Sequence, residues 1–226
     1  MAGRSWREVK DALRAITPIC TDHDADGVDV YFLNAKNSAT AYSGGGWTNI
    51  RSADQVEALF NQVRPGGGTP TGTRINQIMK PYLRRYEEAI AARRDPEDTG
   101  IKPINMIVIT DGVPTDDPEA IIAGMAGKLD RLEAPPYQVG IQFFQVGNER
   151  GAAEALQELD DALGEMAGGV RDIVDTVTWS NRDGRERVLT ANGILKVVLG
   201  AVVRRLDRRR TSGESSRPSR GGRLAP

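Results

Sequence analysis

One cysteine and one histidine are all that 226 residues supply of the side chains most used for nucleophilic and zinc chemistry. The lone Cys20 excludes an internal disulfide framework and fits a reducing compartment. It follows Ile16 and Ile19 in an apolar stretch and reads as a buried structural thiol. The lone His23 removes most Ser-His-Asp, Cys-His and multi-histidine zinc schemes. No run is long and apolar enough to span a bilayer, and Met1-Ala2-Gly3-Arg4-Ser5 leads into a charged segment and not a signal peptide. A cytoplasmic, intracellular protein with no membrane span is the expectation.

Apolar residues at 39% and charged residues at 27% are ordinary globular proportions, so a sizeable core is within reach. The length suits one domain, or one domain with a tail. Net charge near zero hides an asymmetry. From Arg204 to Pro226 eight Arg stand against Asp207 and Glu214, so with a total of -1 the remainder carries about seven negative charges. From Arg210 onward Ser, Gly, Pro and Arg dominate, which predicts a domain over residues 1–209 and a disordered basic tail over 210–226.

Apolar spacing predicts the elements. Val9, Leu13 and Ile16 mark an amphipathic helix over Trp6 to Ile19, ended near Pro18. Val28 to Leu33 reads as a strand, and Ala39 to Tyr42 as a short antiparallel partner before Ser43-Gly44-Gly45-Gly46 breaks the chain. Ser52 caps a helix carrying Val56, Leu59, Phe60 and Val63. After the loop Pro65 to Pro70 comes a helix from Thr71 to Arg94. Ile104 to Ile109 has the near-continuous apolar character of a buried parallel strand. Asp117-Pro118-Glu119 starts a helix to Leu132, with Asp at the N-cap and Pro at the first helical position. A strand over Gln138 to Val146, a helix over Arg150 to Met166, a strand over Ile173 to Trp179 and a helix over Asn192 to Arg209 complete the pattern. Such alternation predicts an α/β fold with a mostly parallel sheet covered on both faces, which binds ligands at the carboxyl ends of its strands.

Asp111 sits at that position, directly after the strand Ile104 to Ile109. A carboxylate there holds a metal, polarises a ligand, or caps backbone N–H groups in a turn. The loop Gly66-Gly67-Gly68-Thr69-Pro70-Thr71-Gly72-Thr73 lacks the lysine of a Walker A sequence and the glycine spacing of a dinucleotide fingerprint. Its hydroxyls are hard oxygen donors suited to Mg²⁺ or Mn²⁺. The plainer reading is a glycine-rich helix start capped by Thr.

Together, a Gly-Gly-Thr-Pro-Thr-Gly-Thr loop opening a helix and an apolar strand ending Ile-Thr-Asp-Gly-Val-Pro resemble the von Willebrand factor A (VWFA) domain. The resemblance runs from Trp6 to about Arg209. Arg4-Ser5-Trp6-Arg7-Glu8-Val9 and the stretch Ala25 to Asn34 make it most similar to intracellular fungal versions. The resemblance implies a doubly wound, Rossmann-like sheet with a metal-ion-dependent adhesion site at its top. There an Asp-x-Ser-x-Ser loop, a Thr and a further Asp hold Mg²⁺ or Mn²⁺, and a partner's carboxylate often completes the coordination. Thr69 matches the family Thr, with Thr71 as second choice, and Asp111 matches the further Asp.

No Asp-x-Ser-x-Ser occurs in the chain. In the family that loop closes a first strand, central in the sheet, immediately before the helix that here begins near Trp6. The resemblance therefore implies an α/β sheet lacking its first central strand and a site lacking three of five metal-binding residues. Without that strand, Val28–Leu33 and Ile104–Ile109 lose a pairing partner. Either they re-pair directly or the chain is a fragment of a longer product, the second being the expectation here.

Two decoys stand apart from this site. Asp22-His23-Asp24-Ala25-Asp26-Gly27 matches the opening of an EF-hand loop, but Leu33 stands where the bidentate Glu is required, so an acidic helix-to-strand turn is expected. The arginines from Arg204 to Arg210 lack the aromatic residues that stack bases, and a solvated helix end accounts for them. Trp6, Trp47 and Trp179 read as packing residues. The functional expectation is a non-enzymatic module that recruits an unidentified protein partner, with a weakened or absent divalent cation. The alternative is a metal-assisted phosphotransferase or hydrolase using Asp111 and the Thr69 loop.

Overall fold

A computed structural model gives the architecture, describing residues 1–93, 95–146, 151–166 and 171–177. Eleven elements follow in order: α1 (Gly3–His23), β1 (Val28–Val30), a 3-10 segment η1 (Ser38–Ser43), β2 (Trp47–Ile50), α2 (Ala53–Gln62), α3 (Thr71–Arg93), β3 (Ile104–Thr110), α4 (Pro118–Arg131), β4 (Val139–Gln145), α5 (Ala152–Met166) and β5 (Val174–Val177). The helix expected over 192–209, Trp179 and the tail lie outside the described residues.

The class is α/β. β3, β4 and β5 form a parallel sheet in that order, built from two strand-helix-strand units, and Ile104 to Thr110 pair in unbroken register with Val139 to Gln145. Both faces are covered, which is why the strands read as apolar runs. Val139, Ile141 and Phe143 point into a core shared with Met79, Tyr82 and Tyr86 of α3, Ile122, Met125 and Leu129 of α4, and Leu156 and Leu159 of α5. Phe144 and Val146, of the opposite parity, join Val9 and Ile16 of α1 and Val56, Leu59 and Phe60 of α2. Trp6 stacks obliquely on Phe60 with centroids 4.7 Å apart, and Phe32 lies edge-on to Trp47 at 5.3 Å, so both tryptophans are packing residues.

β1 and β2 make a separate antiparallel pair. Among the described residues β1 pairs only with β2 and β3 only with β4. The direct re-pairing of β1 with β3 therefore does not occur, and the expected single sheet is two.

Three local expectations are corrected. Helix α1 does not end near Pro18 but runs through it to His23. Proline removes one donor without forbidding continuation, and the Thr17 hydroxyl donates to Leu13 O (2.7 Å) while that of Thr21 donates to Thr17 O (2.9 Å). The segment Ala39 to Tyr42 is η1 and not a strand. Asn37 Oδ1 accepts from Ala39 N–H at 3.1 Å, and the Thr40 hydroxyl donates to Asn37 O and Gly46 O, so short polar side chains compete the backbone out of a ladder. The antiparallel partner of β1 is instead β2, after Gly44 and Gly45 turn the chain at positive φ. Strand β1 itself stops at Val30, short of Leu33.

Candidate functional site

Three loops meet beyond the carboxyl end of β3. The first leaves β1 over residues 31–37, the second is the glycine-rich loop 64–70 before α3, and the third is 111–117 between β3 and α4. Hydrogen bonds tie them together. Asn34 Nδ2 donates to Gly66 O (2.6 Å) and Gly68 O (2.9 Å). Thr115 N–H donates to Thr69 O (2.9 Å). The Asp116 carboxylate accepts from Gly72 N–H (3.0 Å) and Thr73 N–H (2.7 Å), the exposed donors at the start of α3.

Gly72 makes this junction possible. A Cβ there would stand 2.8 Å from Asp117 O and 2.8 Å from Pro118 Cα, so only glycine lets α3 approach the third loop so closely. Burial by itself pushes the Asp116 carboxyl up, but hydrogen bonds from Thr73 and Gly72 outweigh it and hold its pKa below the usual aspartate value. The start of α3 is thus satisfied by a carboxylate from another loop, and the expected threonine cap is corrected.

Thr69 and Asp111 are brought to the same edge. The Thr69 hydroxyl lies 3.8 Å from where a Cβ on Gly112 would stand, and Gly112 adjoins Asp111. Thr71 is 1% exposed, and its hydroxyl turns to Thr69 O at 3.4 Å. The Asp111 carboxylate is paired: its Oδ1 lies 3.0 Å from the α-ammonium of Met1, with the two side chains only 18% and 15% exposed.

A divalent cation, which the resemblance implies, needs about six oxygen ligands. Of the residues that the resemblance names, Thr69 and Asp111 stand at this edge, and among the described residues no three His, Cys, Asp or Glu side chains converge.

Sequence reasoning missed Asn34, Arg74 and Asp116. Arg74, 3% exposed, donates from Nε to Phe32 O (2.7 Å) and from Nη1 to Gly44 O (2.7 Å), with Nη2 3.4 Å from Gly45 O. Its guanidinium also lies over the Tyr31 ring, 5.7 Å from the centroid. Burial lowers its pKa. The loop after β1 is thereby clamped to α3. Arg74 gave no signal because an arginine on a helix surface has the same local pattern.

The EF-hand-like segment is an acidic turn, as expected. Lys102 Nζ bonds the carboxylates of Asp24 (3.2 Å) and Asp26, and Gly27 takes φ +79. Asp24 is held below its ordinary pKa first by the Asp26 N–H and then by Lys102. Cys20 is half-buried, and burial pushes its thiol pKa up, which disfavours a reactive thiolate. No helix among the described residues is long and apolar enough to cross a membrane.

Comparison of the chain with protein-family models, with curated proteins and with solved structures gave no match.

Proposed function

We propose that the chain is a protein-interaction module of the von Willebrand factor A type, working through the edge where the loops 31–37, 64–70 and 111–117 meet. The observation that carries this reading is the cross-bracing of three loops that a flexible connection does not need. Asn34, Thr69 and Asp116 each bind a loop or helix distant in sequence, so the edge is preorganised and loses little conformational freedom on binding. Val113, 48% exposed in its centre, supplies an apolar contact. The motifs around Thr69 and Asp111 support the family assignment, and with it a doubly wound, Rossmann-like ancestry.

The module is not an enzyme in this reading. A phosphotransferase or hydrolase using Asp111 and the Thr69 loop is the second reading, and turnover that disappears in Asp111→Ala would favour it. Mg²⁺ plays at most a minor part, with affinity no tighter than about millimolar because water would have to fill most coordination positions. Calorimetry showing micromolar, Asp111-dependent Mg²⁺ binding would overturn that point.

The test of the interaction surface is site-specific photo-cross-linking in cells. A photoreactive amino acid at Val113 is compared with the same group at Glu97, exposed in the loop preceding β3. Discrete protein adducts from Val113 and none from Glu97 support the reading. Equal labelling from both positions, or none from Val113, sinks it.

A further inference from the structure

Basic charge gathers on one flank of the molecule. The connection 31–46 between β1 and β2 and the α3 residues 71–86 carry Lys36, Arg74, Lys80, Arg84 and Arg85 and no acidic residue. The sequence before Arg204 nevertheless has a surplus of about seven acidic charges. The two segments are locked together. A Cβ on Gly44 would stand 3.0 Å from Ile78 Cα, and the buried Arg74 guanidinium donates to Gly44 O (2.7 Å) and Phe32 O (2.7 Å). Lys36 backs onto Gly45, its Cβ 3.1 Å from where a Cβ on that glycine would stand. Arg85 follows Ile78 by two helical turns and so lies on the same face of α3. Burial and then Asp29 push the Tyr31 phenol pKa up, and the charges of Arg74 and Arg85 oppose them, which places Arg85 beside the connection. Asp29 itself accepts from Asn49 N–H at 3.0 Å. Lys36 and Arg85 are exposed and form no ion pair among the described residues.

Tyr42 stands on this braced connection 81% exposed, against 48% for Val113 and 38% for Ile19. A tyrosine offers a large amphipathic surface with few torsions to freeze, so on a rigid support it anchors a partner at small entropic cost. We propose that Tyr42, Lys36 and Arg85, carried on the connection 31–46 and the α3 face beneath it, form a docking surface for a short acidic segment of a partner protein. Charge complementarity selects the acidic segment, and Tyr42 supplies contact area. A long polyanion such as nucleic acid is disfavoured, because the acidic remainder of the sequence repels it and one exposed ring gives one stacking position. The surface adjoins the loop edge through Lys36 but uses none of Thr69, Asp111 and Val113, so it goes beyond that edge and stands or falls separately.

The test titrates the full chain into a fluorescein-labelled, end-blocked peptide, Glu-Asp-Glu-Phe-Glu-Asp-Glu, followed by fluorescence anisotropy. The Gln/Asn counterpart of the peptide and a thymidine oligonucleotide of equal charge are the comparisons. The acidic peptide should bind saturably, and the binding should weaken when salt is raised to about 0.3 M. Tyr42→Ala, Lys36→Glu and Arg85→Glu should each weaken it about tenfold. All three side chains are exposed, so circular dichroism should show the parent fold in each variant. Arg131→Glu makes the same charge change on the exposed side of α4 and should leave the affinity unchanged. The proposal falls if no saturable binding occurs, if the neutral peptide binds equally, or if the oligonucleotide binds more tightly. It falls equally if Arg131→Glu costs as much as Arg85→Glu, or if Tyr42→Ala has no effect. Binding that survives all three changes belongs to the arginine-rich end and also overturns it. Peptide binding without cross-links at Val113 would retain this surface and remove the loop edge. Cross-links at Val113 with no peptide response would do the reverse.

Discussion

At the scale of single residues, side chains that act across the chain decide the shape of the edge. Asp116 joins the third loop to the start of α3, and its depressed pKa has a direction in stability. A carboxyl whose folded pKa is lowered contributes stability that is present above its unfolded pKa and lost as pH falls through the folded value. Asp116→Ala should therefore cost about 1 kcal/mol at neutral pH, by analogy with loss of a helix cap. The gap between parent and variant should close below about pH 4, read by urea unfolding across a pH series. The sequence shows why such a residue escapes notice. Asp117, its neighbour, is legible as an N-cap because its partner, Ala120 N–H at 2.9 Å, is three residues away. Asp116 has the same local context and serves a helix 44 residues earlier. Arg74 is a second case. Replacing it with Met should leave the carbonyls of Phe32, Gly44 and Gly45 short of donors and cost at least about 2 kcal/mol in chemical denaturation. Arg74→Lys should recover little, because an ammonium cannot reproduce the planar fork that reaches separate carbonyls.

At the scale of elements, what is local was readable and what is contingent was not. Helix α2 is announced by Ser52, and the structure completes a capping box: Ser52 Oγ accepts from Gln55 N–H at 3.3 Å, while the Gln55 side chain accepts from Ser52 N–H at 3.2 Å and Arg51 N–H at 2.7 Å. Ser52→Ala should lower stability by about 1 kcal/mol, measured as a shift in the denaturation midpoint at unchanged slope. Strand β4 was equally plain, since a strand buried on both faces has no polar alternation to obscure it, and β3 carries the same apolar run although most of it is only partly buried. The η1–β2 region was not. Its polar residues serve strand and turn comparably in local propensity, and Gly44 decides by packing. A Cβ on Gly44 would lie 3.0 Å from Ile78 Cα and 3.1 Å from Gln77 O, so the turn is seated against α3, a contact that no periodicity reports.

At the scale of the molecule, one strand carries two cores. Phe143 and Phe144 are adjacent in β4, both 0% exposed, and they enter opposite clusters, one under α3, α4 and α5 and the other under α1 and α2. Periodicity predicted the burial of both but not the arrangement around them. That β1 would pair with β2 alone is information held in contacts distant along the chain, and the same holds for the meeting of Thr69 with the Asp111 loop. The shared strand has a thermodynamic consequence. Truncating either ring to alanine removes a large apolar side chain and leaves a cavity, which costs about 3–5 kcal/mol in a packed interior. If the clusters were independent units, Phe144→Ala would weaken only the α1–α2 side and split the unfolding into two transitions. Because β4 supplies one wall of each core, loss of either wall loosens the ladder that positions the other, and both variants should melt in a single transition seen identically by circular dichroism and tryptophan fluorescence. Trp6 and Trp47 pack against the second cluster, so in a Trp179→Phe background a fluorescence transition in Phe144→Ala that precedes the loss of helical signal would show that the cores separate.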